Sequence, residues 1–135
     1  MRRLSVLLVL IVAGTLFQAP ASAGSTTYVT FNCTSTKREP ARIMFACGDG
    51  GYYVDNLDRS SWGVKLAKGR GTFHFNDCKP DCAAGHFHAR RGTLVLQYRL
   101  PCPHAGRYVF KHAEAIYDRP YGGMQRQSTK LFCPL

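Results

Sequence analysis

Negative charge is scarce in this sequence. The 135-residue chain carries 18 Lys and Arg residues against 8 Asp and Glu residues, which gives a formal net charge of +10 at pH 7. It contains no run of five like charges, so a concentrated basic or acidic arm is excluded. The positive excess favours an anionic partner such as a cell-wall polymer, a nucleic acid or a membrane surface. Solubility alone is an equally good interpretation of the charge.

The common catalytic motifs are also missing. The sequence has no Gly-x-Ser-x-Gly elbow, no phosphate-binding glycine loop and no His-Glu-x-x-His element. Internal repeats and linkers are absent too, and the length suits one domain. We therefore assign no catalytic or cofactor-binding residue and expect no cofactor.

Long apolar runs are confined to the N-terminus. Arg2 and Arg3 precede an apolar stretch over residues 4–17, and Ala21-Ser22-Ala23 follows as a small-x-small cleavage site. This layout is typical of a secretory signal peptide over residues 1–23, with a single mature domain over residues 24–135. The stretch is short for a bilayer span, and its immediate apolar start favours the general export route over the twin-arginine route. We expect a secreted protein, extracellular or cell-wall associated, without stable membrane insertion.

Export determines the chemistry of the six cysteines. An even number in an oxidising compartment predicts three disulfides. Several pairings are compatible with the sequence. Cys33 and Cys133 bracket the mature domain, so their pairing would join its two ends. Cys78 and Cys82 would close a small ring if residues 79–81 form a turn, whereas bridges from both to the rest of the domain would lock their loop against it. The cysteines are Cys33, Cys47, Cys78, Cys82, Cys102 and Cys133.

Short apolar segments separated by turn residues predict an all-β fold, a small antiparallel β-sandwich or barrel stapled by disulfides and preceded by a cleavable signal peptide. Residues 107–117 admit a helix from 111, but alternation favours one long strand. Residues 57–61 are predicted as a polar connector and residues 119–127 as a loop. The predicted strands cover residues 27–31, 42–47, 52–54, 62–67, 72–76, 93–98 and 108–110.

Four motifs follow one another along the chain. They are Cys47-Gly48-Asp49-Gly50, a segment ending in Ser60-Ser61-Trp62-Gly63, Gly69-Arg70-Gly71-Thr72, and residues 76–88, which read Asn-Asp-Cys-Lys-Pro-Asp-Cys-Ala-Ala-Gly-His-Phe-His. Over residues 46–110 the chain resembles a family of small exported proteins from high-GC Gram-positive bacteria. The resemblance implies an exported, disulfide-containing domain and lends no catalytic residues. Arg59 stands where that family usually has a first tryptophan.

The last motif has a structural and a functional interpretation. Asn76 and Asp77 can bond nearby main-chain amides and Gly85 can relieve a crowded turn, which describes a scaffold loop. Alternatively, histidines two residues apart share one face of a strand and could bind Zn²⁺ or Cu²⁺ with help from Asp77 and Asp81. We favour the scaffold and predict no metal site. The residues that would form one are His74, His86 and His88.

A single tryptophan, Trp62, is predicted to be buried at a strand rather than exposed beside Tyr52 and Tyr53 as a stacking platform. For the whole chain we predict an exported, monomeric, non-enzymatic binding or structural module at the cell envelope or in the medium. Its expected partner is an anionic cell-wall polymer or another acidic surface, without a specific nucleic acid. The alternative is a small basic exported hydrolase, a ribonuclease, built from His104, His112, Glu114, Arg107 and Arg119.

Overall fold

Eight strands and one short 3₁₀ helix make up the fold in a computed structural model, which describes residues 26–134. The all-β class predicted from the sequence is confirmed. The elements are β1 Thr27–Thr30, β2 Thr36–Lys37, β3 Ile43–Met44, β4 Tyr52–Trp62, β5 Ala67–Asn76, β6 Phe87–Cys102, the 3₁₀ helix Pro103–Ala105, β7 Arg107–Tyr121 and β8 Met124–Lys130.

The strands form one curled sheet in the order β2-β1-β7-β6-β5-β4-β3, and β8 also pairs with β7. Each of the strands β4 to β8 pairs antiparallel with the next, as expected for consecutive strands joined by short connections. β1 and β8 share one side of β7, and the β1 pair is parallel, with Thr27 opposite Tyr108. The sheet is therefore mixed rather than wholly antiparallel.

Curling brings the two ends of the sheet together. The indole N–H of Trp62 donates to the Thr27 carbonyl at 2.9 Å, and the Met44 amide donates to the Phe31 carbonyl at 2.8 Å. The Trp62 ring packs edge-on against Phe110 and is partly buried, which agrees with the interpretation of a packed tryptophan. Tyr52 lies at the opposite end of β4, so it does not form a platform with Trp62.

Alternation along the strands builds the core. On β5 every second residue from Ala67 to Phe75 is buried, and the intervening residues face outward. Burying a large apolar side chain contributes roughly 1.5–3 kcal/mol, so the core dominates the stability of the fold. Its largest fully buried side chains are Tyr117, Phe73, Phe110, Ile43, Leu96, Val29, Val54 and Val109.

Two tyrosine hydroxyls are placed within this core. The hydroxyl groups of Tyr52 and Tyr117 lie 3.2 Å apart, and Tyr117 donates to the Gln127 side chain at 2.7 Å. Burial raises the pKa of both phenols above its ordinary value, which favours the protonated, hydrogen-bonding form.

The strand boundaries differ from the predicted ones where the sequence is polar. Residues 57–61 continue β4 along β5, with register shifts that mark bulges, instead of forming a connector. The strand predicted over residues 62–67 is wrong, because β4 ends at Trp62, β5 begins at Ala67 and a turn lies between them. Of the strand predicted over residues 42–47, only Ile43–Met44 is a strand. Residues 119–127 are not a loop: β7 extends to Tyr121 and β8 begins at Met124, around Gly122 and Gly123 with positive φ. The long strand from Arg107 is confirmed.

The three predicted disulfides are confirmed, as Cys33–Cys47, Cys78–Cys82 and Cys102–Cys133. The ring through Cys78 and Cys82 is as predicted, so bridges from these two residues to the rest of the domain are wrong. The pairing of Cys33 with Cys133 is also wrong. Cys33 follows β1 beside the end of β3, whereas the tail after β8 runs beside β7 towards the end of β6.

The predicted signal peptide lies outside the described residues. Within residues 26–134, no helix has the length and apolar character that a membrane span needs.

Candidate anion-binding site

β6 and β7 separate at one end and open a cleft. Their ladder runs from Cys102 opposite Arg107 to Gly92 opposite Tyr117. At Gly92 the strands approach so closely that a Cβ atom would lie 2.5 Å from the Ile116 carbonyl oxygen. Beyond this point Pro120 has no N–H to donate to a ladder. The resulting cleft, called the arginine cleft below, has a volume of about 610 Å³ and is lined by Ala89, Arg90, Arg91, Asp118, Arg119 and Pro120.

The arginine cleft carries an excess of positive charge. Its lining includes three arginines and one carboxylate, Asp118, which accepts a hydrogen bond from Arg70 at 2.5 Å. This bond also raises the pKa of Arg70 above its ordinary value. Within residues 26–134, neither Arg91 nor Arg119 has an ion-pair partner. Planar guanidinium groups without a partner are suited to bidentate binding of carboxylate or phosphate.

Arg90 has a different environment from the other two arginines. It donates to the Ala89 carbonyl at 2.7 Å, and its guanidinium carbon lies 5.4 Å from the centre of the Tyr121 ring. In the β5–β6 register Arg90 stands opposite the buried Phe73, so it lies on the inner face of the sheet. Arg91 stands opposite Thr72 on the outer face. The two neighbouring arginines therefore approach the cleft from different sides of the sheet.

The cleft is not predicted from the sequence. Arg119 is predicted only as a phosphate-binding residue of a ribonuclease, and no role is predicted for Arg90 or Arg91. Two sequence features could have indicated the cleft. They are Arg90-Arg91-Gly92 on one strand and Arg119-Pro120 on another. Glycine and proline beside the arginines mark the place where the strands separate, but only the strand pairing shows that the two segments meet.

The motif over residues 76–88 forms a self-bonded loop. The Asn76 side chain donates to the Cys82 carbonyl at 2.7 Å and accepts from the Cys78 amide at 3.0 Å. Asp77 accepts from the Lys79 amide at 3.1 Å and from the His86 amide at 2.9 Å. These bonds support the scaffold interpretation. The pKa of Asp77 lies well below its ordinary value. The largest cause is the hydrogen bond from the His86 amide, and the second is the hydrogen bond with the His88 ring.

A second motif contacts this loop. The Asn76 amide donates to the Gly51 carbonyl at 2.8 Å, and the Gly51 amide donates to the Asp49 carboxylate at 2.8 Å. Asp49 thereby lies within 4.8 Å of the Cys78 and Cys82 sulfurs. Both sulfurs belong to a disulfide, so they offer no thiolate for a metal.

The three candidate metal ligands do not meet at one point. His74 pairs with Asp55 at 3.0 Å and His88 pairs with Asp77 at 3.1 Å. His74 stands opposite Ala89 and His88 stands opposite the buried Phe75, so the two rings lie on opposite faces of the sheet.

The remaining candidate ligands have other roles. His86 precedes β6 and donates its amide to Asp77, and Asp81 accepts from the Ala83 and Ala84 amides. That no metal is bound stays a prediction.

The candidate ribonuclease residues lie in three separate places. On β7, His112 hydrogen-bonds to Gln97 at 3.1 Å and Glu114 pairs with Arg126 at 3.0 Å. Arg119 lies at the far end of the same strand, in the arginine cleft. His104 and Arg107 line a smaller cleft of about 270 Å³ together with Thr34, Ser35 and Thr36.

Comparison with known proteins gives no relative from which a function could be transferred. No protein-family model matches the chain, and no curated protein or solved structure is significantly similar to it. The resemblance to the family of small exported proteins therefore stays a prediction, and the geometry described above is the basis for a functional assignment.

Proposed function

We propose that this protein is an exported, non-enzymatic binding module that recognises an anionic polymer at the cell envelope or in the medium. The observation that carries the proposal is the arginine cleft, where Arg91 and Arg119 face solvent without an acidic partner in the described chain. Three disulfides are consistent with an extracellular protein.

The exposure of the cleft favours a polymer over a small anion. Exposed ion pairs contribute only about 0–1 kcal/mol each, because water and salt screen them. One small anion at Arg91 and Arg119 would be held weakly. A polymer with repeated carboxylate or phosphate groups contacts several such cations at once and gains from their combined attraction.

The lining of the cleft also favours binding over hydrolysis. General acid–base catalysis needs a titratable pair near the reacting atoms. Among the residues that line the arginine cleft, Asp118 is already bonded to Arg70, and the other side chains are arginine, alanine and proline. His112 and Glu114 lie further along β7 with partners of their own. No observation favours the hydrolase alternative.

Salt elution from an immobilised anionic polymer, such as phosphocellulose, tests the proposal. We expect the parent chain to be retained at low salt, and the double variant Arg91→Ser with Arg119→Ser to elute at clearly lower salt. The matched control is Arg38→Ser with Arg126→Ser, which removes the same charge from exposed sites outside the cleft. Equal shifts for the two double variants would show that net charge, not the cleft, binds the polymer.

A further inference from the structure

An exposed aromatic ring lies beside the arginine cleft. Phe87 begins β6 and is 53% exposed. Phe87, Ala89 and Arg91 alternate along β6, so their side chains share the outer face of the sheet. Ala89 and Arg91 also line the cleft. A ring, a methyl group and a guanidinium group therefore follow one another in a row.

One side of the Phe87 ring contacts an aromatic cluster that begins on β4. The Tyr53 ring centre lies 5.9 Å from that of Phe87, and Tyr53 stacks on His74 with a centroid distance of 4.5 Å. The Arg42 guanidinium lies 4.0 Å from the centre of the Tyr53 ring. The contact with Tyr53 reduces the side-chain freedom that Phe87 would lose when a ligand binds.

We propose that Phe87 is a stacking site for the bases of single-stranded nucleic acid whose phosphates bind Arg91 and Arg119. This inference rests on the proposed binding of an anionic polymer and names its class. About half of the Phe87 side chain is exposed, so a base can lie against it, and the next residue on the same face, Ala89, carries only a methyl group. Stacking of this kind tolerates any base.

An acidic polysaccharide fits the same surface less well. Sugars present many hydroxyl groups, and carboxylate oxygens are the strongest acceptors for them. Each carboxylate around Phe87 and the cleft has one oxygen engaged by another side chain, which leaves fewer acceptor positions for sugar hydroxyls. These pairs are Asp55 with His74, Asp77 with His88, and Asp118 with Arg70. The exposed ring and the arginines without an acidic partner suit bases and phosphates.

Fluorescence anisotropy with the full-length mature chain separates stacking from charge. The probes are labelled oligothymidylate and an abasic oligomer of the same length, which has the same phosphates but no bases. We expect the parent to bind oligothymidylate roughly 5- to 100-fold more tightly than the abasic oligomer. Phe87→Leu, which keeps an apolar side chain, should abolish that difference and leave the abasic affinity unchanged. Phe132→Leu, at a ring that is 68% exposed, is the matched control and should change neither affinity.

Each other outcome overturns the inference in a distinguishable way. Equal affinity for the two oligomers, both weakened by Arg91→Ser with Arg119→Ser, would refute base stacking but leave the anionic-polymer function intact. Binding of polygalacturonate that depends on Phe87, without preference for oligothymidylate over the abasic oligomer, would identify an acidic polysaccharide instead. Failure to bind any of these polymers at low salt would refute both the inference and the proposed function.

Discussion

Asn76, Asp77 and Gly85 show how single residues determine the loop between β5 and β6. The two polar side chains bond amides and a carbonyl within ten residues of themselves. Such bonds depend on short-range geometry, which is why the scaffold role of these residues could be predicted from the sequence. The partners of His74 and His88 could not, because Asp55 is 19 and Asp77 is 11 residues away and the strand register sets both contacts.

Gly85 is the position in this loop where we expect an added methyl group to destabilise the fold most. A Cβ atom there would lie 2.0 Å from the Asn76 Oδ1 atom and 2.8 Å from the Cys78 amide nitrogen. We predict that Gly85→Ala lowers the free energy of unfolding by about 1–3 kcal/mol, because Asn76 must give up its bonds. Urea denaturation measures the loss. Gly48→Ala, where nothing lies within 4 Å of the added atom, is the control, and an equal loss there would contradict the explanation.

Asp77 should make the stability of the protein sensitive to acid. Its pKa is lowered by the His86 amide and the His88 ring, so the folded state binds a proton less readily than the unfolded chain. The stabilisation is therefore present above about pH 4 and is lost as the pH falls further. We predict that Asp77→Asn reduces the difference between urea midpoints at neutral and acidic pH. Asp58→Asn, at an exposed position, should leave that difference unchanged; a parent-like difference in Asp77→Asn would contradict the assignment.

Strands with a buried face could be predicted, and strands without one could not. β5 alternates buried and outward residues, and its pattern is visible in the sequence. β8 has no buried residue, and the second half of β4 carries polar side chains, so neither shows the hydrophobic period of a strand. They are strands because they pair with β7 and β5. The arginine cleft escaped prediction for the same reason, since it depends on where the β6–β7 ladder ends.

The three disulfides should rank in stabilising effect by the length of chain that each encloses, with an effect that grows as the logarithm of that length. The sequence separations are 31 for Cys102–Cys133, 14 for Cys33–Cys47 and 4 for Cys78–Cys82. Loop-closure entropy then gives stabilisations of about 4, 3 and 2 kcal/mol, in that order. Urea denaturation of the three paired Cys→Ala variants tests the ranking. If the variant lacking Cys78 and Cys82 were the least stable, local strain or loop contacts would outweigh chain closure.

At the scale of the whole molecule, the proposed binding of acidic polymers agrees with the net charge, and three disulfides are consistent with an extracellular protein. Without residues 1–23 the chain has 16 basic and 8 acidic residues, a net charge of +8. Composition predicts a partner of opposite charge, because net charge needs no structure. It could not indicate the arginine cleft as the proposed binding site. The position of that cleft follows from the strand pairing, which brings Arg90 and Arg91 close to Arg119.

Maturation of the exported chain is a prediction at this scale. We expect protein purified from culture medium to begin at Gly24, after the Ala21-Ser22-Ala23 site. It should be lighter than its fully reduced form by about six mass units, two hydrogens for each of three disulfides. Intact-mass spectrometry with and without reductant measures both. A product that retains Met1, or one with free thiols, would contradict the exported, disulfide-bonded form.

Chemical-shift mapping by NMR tests the central claim most directly, because it locates the binding surface rather than only detecting binding. Labelled mature protein is titrated with polyphosphate at low salt, and amide shifts are followed residue by residue. We predict that the largest changes occur at Ala89, Arg90, Arg91 and Arg119, and that added salt reverses them. Changes centred on the smaller cleft around His104 and Arg107, or spread evenly over the basic surface, would contradict the assignment of the arginine cleft as the binding site.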